Sequence, residues 1–465
     1  MADAGDDIPN FLMLEQIPAN YVQQIETDLL EPVVFQQGAA STDGFCRFTL
    51  QNKGFLHSHS KIFVALEPNA SVHEGYLQPH VGIGQIVKKA VLKIGNKTLN
   101  ELDSWAGLHA VKSSLITNEN NVEREQYLTG RVMSHKFRYD DESSVFADTV
   151  SLDNGIETDV TRLNVPNWSV MDGRTPAECP SYMIDLSDLF PFLKVNQLPL
   201  YMISEPINIE LTFHPTTDAN NPRMQISSTN SSTGKAVNIV RDQLKFCADY
   251  IYYGATDEME RYAAANRDMN FSFVDYRLVE HSTTQVALGS GVIRNLGMAN
   301  RMVPRVITLV NDSSPATAAQ QTILGSTQSQ APIVAATGVV DQSLRYNIRY
   351  NDRFEFTSDV DNLSRLFSIF QQAEGVPFIT RQEFSNAGID GGFTTDSYMG
   401  RQMASNLEGQ FFNLSTRLTN GRVGQRGIEL HLTGAFPAGA DLLRCYCEYV
   451  RMARLSGGMF EVFNA

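Results

Sequence analysis

The sequence predicts an all-β protein made of two tandem sandwiches, and three observations carry that prediction. Ile207, Ile209, Leu211 and Phe213 alternate with Asn208, Glu210 and Thr212, the period of two that gives a strand one buried face and one wet face. This strand and the one after it recur near the C-terminus. Ile209-Glu210-Leu211 matches Ile428-Glu429-Leu430, and the run Leu244–Tyr253 around Tyr250 matches Leu442–Val450 around Tyr449. The loop between the two strands is longer in the first copy, His214–Asp242 against Thr433–Asp441, a difference that is tolerated because closure entropy grows only logarithmically with length. Finally, short strand candidates separated by Gly, Ser and Asn turns fill both halves of the chain.

The elements follow in order. Met1–Asp28 is mixed and polar and reads as an arm or short helix. Strands are expected at Pro32–Gln36, Phe45–Gln51, Lys61–Leu66 and Val87–Ile94, the last closed by the turn Gly95-Asn96. Thr98-Leu99-Asn100-Glu101 has the form of a capping box, in which hydroxyl and carboxylate each serve a free backbone amide, and predicts a helix to about Leu115. Asn118–Asp159 is charge-mixed surface loop, densest in acid at Asp140-Asp141-Glu142, and Pro166, Pro176 and Pro180 keep the next stretch irregular. Ser181–Phe213 then closes the first half.

Glu258–Asp268 favours helix but carries no apolar stripe, which makes it the candidate linker. The second half offers strands at Phe271–Val279, Thr283–Leu288, Val303–Val310, Tyr346–Phe356 and Phe411–Leu418, and a helix at Asp361–Gln372 with Leu363, Leu366, Phe367 and Phe370 on one face. Ser313–Ser343 is a Ser/Thr/Ala/Gln/Gly tract expected to form a long exposed loop. Many short strands with little helix amount to two eight-stranded sandwiches of the jelly-roll kind, with short helices in the connecting loops. The expected division is an arm at 1–28, a first sandwich at 29–257, a linker at 258–268 and a second sandwich at 269–465.

Composition narrows the function. At 465 residues, 42% hydrophobic and 19% charged, each half can bury a core of its own. The 52 acidic residues outnumber the 37 basic ones, giving −15, and no Lys/Arg cluster offers the basic face on which phosphate binding depends, so no direct nucleic-acid contact is expected. Cys46, Cys179, Cys247, Cys445 and Cys447 are odd in number and sparse, unlike a disulfide framework, and fit a reducing compartment. The acidic N-terminus lacks the basic start and apolar run of a secretory signal, and no stretch approaches the ~20 apolar residues of a membrane span. Synthesis in the cytoplasm and no membrane span are the expectations.

His57 and His59 sit two apart on one strand face, compatible with a metal, but no third ligand is near in sequence and they read as polar loop residues. Cys445 and Cys447 share a strand face without a second pair at zinc-finger spacing, and read as small core residues. Gly82-Ile83-Gly84 and Gly289-Ser290-Gly291 lack the rest of a phosphate cradle and read as turns. Arg301 and Arg305 are open between interface pairing and simple solvation. No catalytic, cofactor-binding or metal-binding residue is assigned, no cofactor is expected, and no enzyme activity is expected.

Several segments resemble the double jelly-roll major capsid proteins of double-stranded DNA viruses, in particular the polinton-like virus and virophage group. Ile184–Leu193 (IDLSDLFPFL), Leu198-Pro199-Leu200 and Ile207–Leu211 resemble the end of that family's first jelly roll. Asn295–Val306, Tyr350–Arg353 and Gln372–Pro377 are similar to its second, and Tyr446–Met459 with Ser456-Gly457-Gly458 to its C-terminus. The resemblance implies a homotrimeric, pseudo-hexameric capsomer that tiles an icosahedral virion shell. Its partners would be neighbouring capsomers and minor capsid or penton proteins, the latter near the Met1–Asp28 arm. The alternatives are an all-β glycan-binding or glycan-cleaving protein, and a minor or penton capsid protein of the same virus type.

Overall fold

The computed structural model describes residues 22–39, 42–68, 82–105, 181–215, 225–228, 231–253, 268–282, 291–311, 345–360, 416–433 and 442–464, with residues 108, 109, 129, 365, 368, 369, 372 and 373 between them. The first half runs β1 (Val22–Leu30), β2 (Val34–Gln36), β3 (Gly44–Leu50), β4 (Phe55–Leu56), β5 (Lys61–Pro68), β6 (Val87–Ile94) and β7 (Lys97–Asp103). It continues with β8 (Ser181–Asp185), α1 (Leu186–Leu189), α2 (Pro191–Val195), β9 (Leu198–Pro199), β10 (Ile207–Phe213), β11 (Gln225–Ser228), β12 (Ser231–Ile239) and β13 (Lys245–Tyr253). The second half runs β14 (Asp268–Ser282), β15 (Gly291–Gly297), β16 (Arg305–Asn311), β17 (Arg345–Tyr350), β18 (Arg353–Phe354), β19 (Thr416–Arg417), β20 (Ile428–Thr433), β21 (Leu442–Ser456) and β22 (Met459–Asn464).

Each half is a pair of antiparallel sheets, eight- and five-stranded in the first and five- and four-stranded in the second. In the first half β13 lies between β1 and β5, and β10 between β3 and β6. The second half repeats the plan: β21 lies between β14 and β16, and β20 between β15 and β17. The two strand pairs matched by sequence thus hold the same central places in both sandwiches. The alternation that predicted them is the burial pattern observed: Ile207, Ile209, Leu211 and Phe213 of β10 are buried, as are Ile428, Leu430 and Leu432 of β20.

Four segments differ from the sequence expectation. The predicted helix after Thr98 is the strand β7, because Gly95, at φ +57°, turns the chain back so that Ile94 faces Lys97. Ladder bonds to β6 then satisfy the amides that a cap would have served, and helical residues begin only at Trp105. Residues 22–28, expected as arm or short helix, belong to β1 and pair with β13 along its length. Their period of two is disguised because Ile25 and Leu29 point to solvent. The loop His214–Asp242 contains the hairpin β11–β12, which joins β5 through Val237 and Pro68.

Tyr346–Phe356, read as one strand, folds as the hairpin β17–β18 about Asn351 and Asp352, both in the left-handed region (φ 52° and 59°) that such tight turns demand. The helix expected at Asp361–Gln372 is helical at the positions described within it. Met1–Tyr21, Asn118–Asp159 apart from Thr129, Pro166–Pro180, Glu258–Arg267, Thr283–Leu288, Ser313–Ser343 and Gly388–Gly400 lie outside the described residues. Among the described residues no helix is long and apolar enough to cross a membrane.

Gly427 is a sharp test of the second sandwich. Its φ is +77°, and a Cβ there would stand 2.2 Å from the carbonyl oxygen of Gly297, a backbone atom that cannot rotate away. Gly427→Ala is therefore expected to destabilise the chain by at least about 2 kcal/mol, read as a lower denaturant midpoint; an unchanged midpoint would contradict the β15–β20 register.

Candidate functional site at the seam between the sandwiches

The feature most loaded with buried polar chemistry is the seam where the edge strand β7 and helix α2 of the first sandwich meet β14, β21 and β22 of the second. Its apolar part follows from strand parity. Phe271 and Phe273 occupy alternate positions of β14 and both pack edge-on against Phe192 of α2, with ring centroids 5.6 and 5.1 Å away. Phe460 of β22 stacks on Phe271 at 5.7 Å. Burial of each such ring contributes about 2 kcal/mol. These residues join one continuous core cluster with Phe48, Leu92, Ile209 and Phe246 of the first sandwich, whereas Tyr346, Ile348, Leu430, Cys445 and Tyr449 form the second sandwich's own core.

Asp275 falls on the same parity as the two phenylalanines and is buried with them. One carboxylate oxygen accepts from Arg451 Nη1 at 2.7 Å and Tyr449 OH at 3.1 Å. The other accepts from Asn100 Nδ2 at 3.1 Å and its neighbour's backbone amide, Tyr276 N, at 3.0 Å. Asn100 belongs to β7, and its own oxygen accepts from Phe192 N at 3.0 Å. Arg451 completes the link by donating to the carbonyl oxygens of Leu99 and Thr98 at 2.8 and 3.2 Å. Burial pushes the Asp275 carboxyl up, to about 6, against the opposing pull of Arg451, Asn100 and Tyr449.

Further bonds cross the seam at both ends. Tyr446 OH donates to Ser104 O at 2.8 Å, and Asn196 Nδ2 to Ser272 O at 3.1 Å. The β21–β22 hairpin is held at its turn: the amide and hydroxyl of Ser204 both donate to Gly458 O at 2.9 Å, and Phe460 N donates to Glu205 Oε2 at 3.1 Å.

The second sandwich's acid has a counterpart in the first. Asp275 faces Tyr449 across β14–β21, and Glu26 faces Tyr250 across β1–β13. In both, a cation from the loop after the second main strand covers the tyrosine ring: Arg301 over Tyr449 at 4.8 Å and Lys53 over Tyr250 at 4.6 Å. The residue two beyond the tyrosine bonds the acid in both, Arg451 to Asp275 and Tyr252 OH to Glu26 at 3.0 Å. Lys53 also pairs with Glu26 at 2.5 Å and Asp28 at 2.7 Å. In the second sandwich this unit is sealed by β7; in the first, β1 pairs with β13 alone among the described residues.

His59 Nδ1 lies 3.0 Å from Asp185 Oδ2, and the His59 amide donates to His57 Nδ1 at 3.0 Å. Asp185 caps α1 through Ser187 N; burial pushes its carboxyl up, but the bonds from His59 and Ser187 hold it below its ordinary value. No group of three or more His, Cys, Asp or Glu side chains that could hold a metal occurs among the described residues. Cys445 and Cys447 are both buried in the second core, and burial pushes both thiols up, Cys445 to about 12. Cys179 lies outside the described residues. Gly82–Ile86 is a tight helical turn and Gly291 opens β15.

Arg305 pairs with Glu448 at 2.5 Å, an oxygen shared with Tyr276 OH, so both arginines serve β21 of their own sandwich. Sequence reasoning missed Asp275, Arg451 and Asn100. The available signal was a charge on the apolar parity of β14, where a lone carboxylate demands a buried partner.

No protein-family model matches the chain, and no curated protein matches it significantly. Solved structures do resemble it. A quasi-atomic model of the PBCV-1 virus capsid covers 97% of this chain and 98% of its own, at 12% identity and a TM-score of 0.53. The crystal structure of PBCV-1 VP54, fitted into a cryo-electron-microscopy reconstruction of the virophage Sputnik, covers the same shares at 11% identity and a TM-score of 0.52. At these identities the likeness is one of fold: the chain has the double jelly-roll fold over nearly its whole length.

Two measurements test the seam. Asp275→Ala, which leaves Arg451 without its anionic partner, is expected to cost about 3–5 kcal/mol in denaturant unfolding. Because the folded-state value of Asp275 lies above the ordinary carboxylate value of 3.8, its contribution is full below pH ~4 and is lost as pH rises through about 6, by up to about 3 kcal/mol. The wild-type chain should therefore lose stability relative to Asp275→Asn across that window, and parallel pH profiles would contradict the assignment. Separately, Cys46, Cys445 and Cys447 should resist alkylation by iodoacetamide until the chain unfolds; rapid labelling of the native chain would show a looser core.

Proposed function

We propose that this protein is a structural capsid subunit, a major capsid protein that works by fitting beside copies of itself and carries out no catalysis. Three copies form a pseudo-hexameric capsomer, each supplying two sandwiches, and capsomers tile an icosahedral virion shell. The observation that supports this most directly is the seam. Two sandwiches of one plan, joined through a buried hydrogen-bonded cluster rather than a free tether, make a rigid two-lobed tile suited to edge-to-edge packing. The fold-level likeness to the PBCV-1 capsid structures points the same way.

On this reading the chain divides into an arm before β1, a first sandwich from Val22 to residue 257, a linker at 258–267 and a second sandwich at 268–465. It is made in the host cytoplasm and resides in the virion capsid. Minor capsid or penton proteins are its further partners, with the acidic arm as their contact. Light scattering on the purified full chain tests the reading: a stable species of three chain masses is expected. A monomer at micromolar concentration would overturn it, and a pentamer would indicate a vertex protein instead.

A further inference from the structure

We propose that the apolar segment Ile8–Ile17 of the chain's own N-terminal arm docks on the outer face of β21–β22, over Met452 and Phe463, and so straps the first sandwich to the second. The inference goes beyond the assembly reading above and does not depend on it.

The surface follows from strand parity. Ala453 and Leu455 of β21 are buried, which turns Met452 and Arg454 to the opposite face. In β22, Phe460 is buried, and Met459, Glu461 and Phe463 face out. Register sets Met452 directly opposite Phe463, and the two side chains are 42% and 48% exposed. Met459, on the same face nearer the hairpin turn, is 57% exposed. A strand face turned to water ordinarily carries polar side chains, as the row between does. There Arg454 stands opposite Glu461 and pairs with Asp268 at 2.7 Å. Its charges are taken up among themselves, so what the face has left to offer is apolar contact.

The arm leaves the first sandwich at the same end. β1 begins at Val22, opposite Tyr253, and Tyr253 OH donates to Gln197 Oε1 at 2.8 Å. The next residue back, Asn196, donates to Ser272 O on β14, at the edge of its sheet. Ser272 stands opposite Met452, and Met452 opposite Phe463. An extended chain covers about 3.3 Å per residue, so the stretch from Phe11 to Val22 reaches about 36 Å. That is enough to round β14 and cross the two strand spacings, about 10 Å, from Ser272 to Phe463.

The arm's sequence supplies the matching chemistry. Six of the ten residues Ile8–Ile17 are large and apolar, Ile8, Phe11, Leu12, Met13, Leu14 and Ile17, and Pro9 and Pro18 bracket the run. Each such side chain gains about 1.5–3 kcal/mol on full burial. The acidic residues Asp3, Asp6 and Asp7 all precede the run and stay outside the contact. A short tether gives the segment a local concentration in the millimolar range at its own β21–β22 face, which favours the same chain over a neighbouring copy.

The test places the photo-cross-linker p-benzoylphenylalanine at Phe463 of the full chain, in an equal mixture of isotopically light and heavy copies. Irradiation followed by mass spectrometry is expected to join that position to the peptide containing Phe11–Leu14, with both halves of the product carrying the same label. Phe11→Asp combined with Leu14→Asp should reduce this cross-link at least about tenfold and leave the mass in light scattering unchanged. Irradiation that yields no link to the arm, or links that join light copies to heavy ones, overturns the docking. Neither result bears on the capsid reading, which the light-scattering mass decides.

Discussion

A single carboxylate organises this molecule. Asp275 is buried on a strand face otherwise given to phenylalanine, and a buried charge of that kind is costly unless every lone pair is met. Four donors meet it, and one, the side chain of Asn100, comes from the other sandwich. Arg451, which neutralises it, also donates through both Nη atoms to backbone carbonyls of that same sandwich. Neither lobe can complete this arrangement alone, so the polar cluster specifies how the lobes sit while the packed rings of Phe192, Phe271 and Phe460 supply the apolar burial. Aromatic packing tolerates sliding; a carboxylate with fixed donors does not.

The duplication explains why the same device appears twice with different outcomes. Glu26, Tyr250, Tyr252 and Lys53 repeat the layout of Asp275, Tyr449, Arg451 and Arg301. In the sealed copy an arginine reaches across to carbonyls of the neighbouring lobe. In the other copy a tyrosine stands at that place and a lysine from the same lobe does the neutralising. Jelly rolls hide most strand edges within their sheets.

Most of the fold was legible in the sequence because sandwich strands with one wet face write their burial as alternation, as Ile207–Phe213 and Ile428–Leu432 do. The errors have local physical causes. Thr98–Glu101 satisfies the spacing of a cap, yet Gly95 at positive φ turned the chain into a hairpin first. β1 exposes its apolar residues, so parity pointed the wrong way, and β11–β12 is too polar to show any parity. The seam was hidden for a different reason: Asn100, Asp275 and Arg451 are far apart along the chain, and no local spacing connects them.

The account stands on two lobes of one chain held as a rigid pair. A cryo-electron-microscopy reconstruction of the assembled protein tests that most directly. It should show each chain filling two adjacent upright sandwiches, with density continuous from the Asp275 carboxylate to Asn100 and Arg451. A map in which each chain fills one sandwich, or in which the lobes of one chain part at β7 and β14, would contradict it.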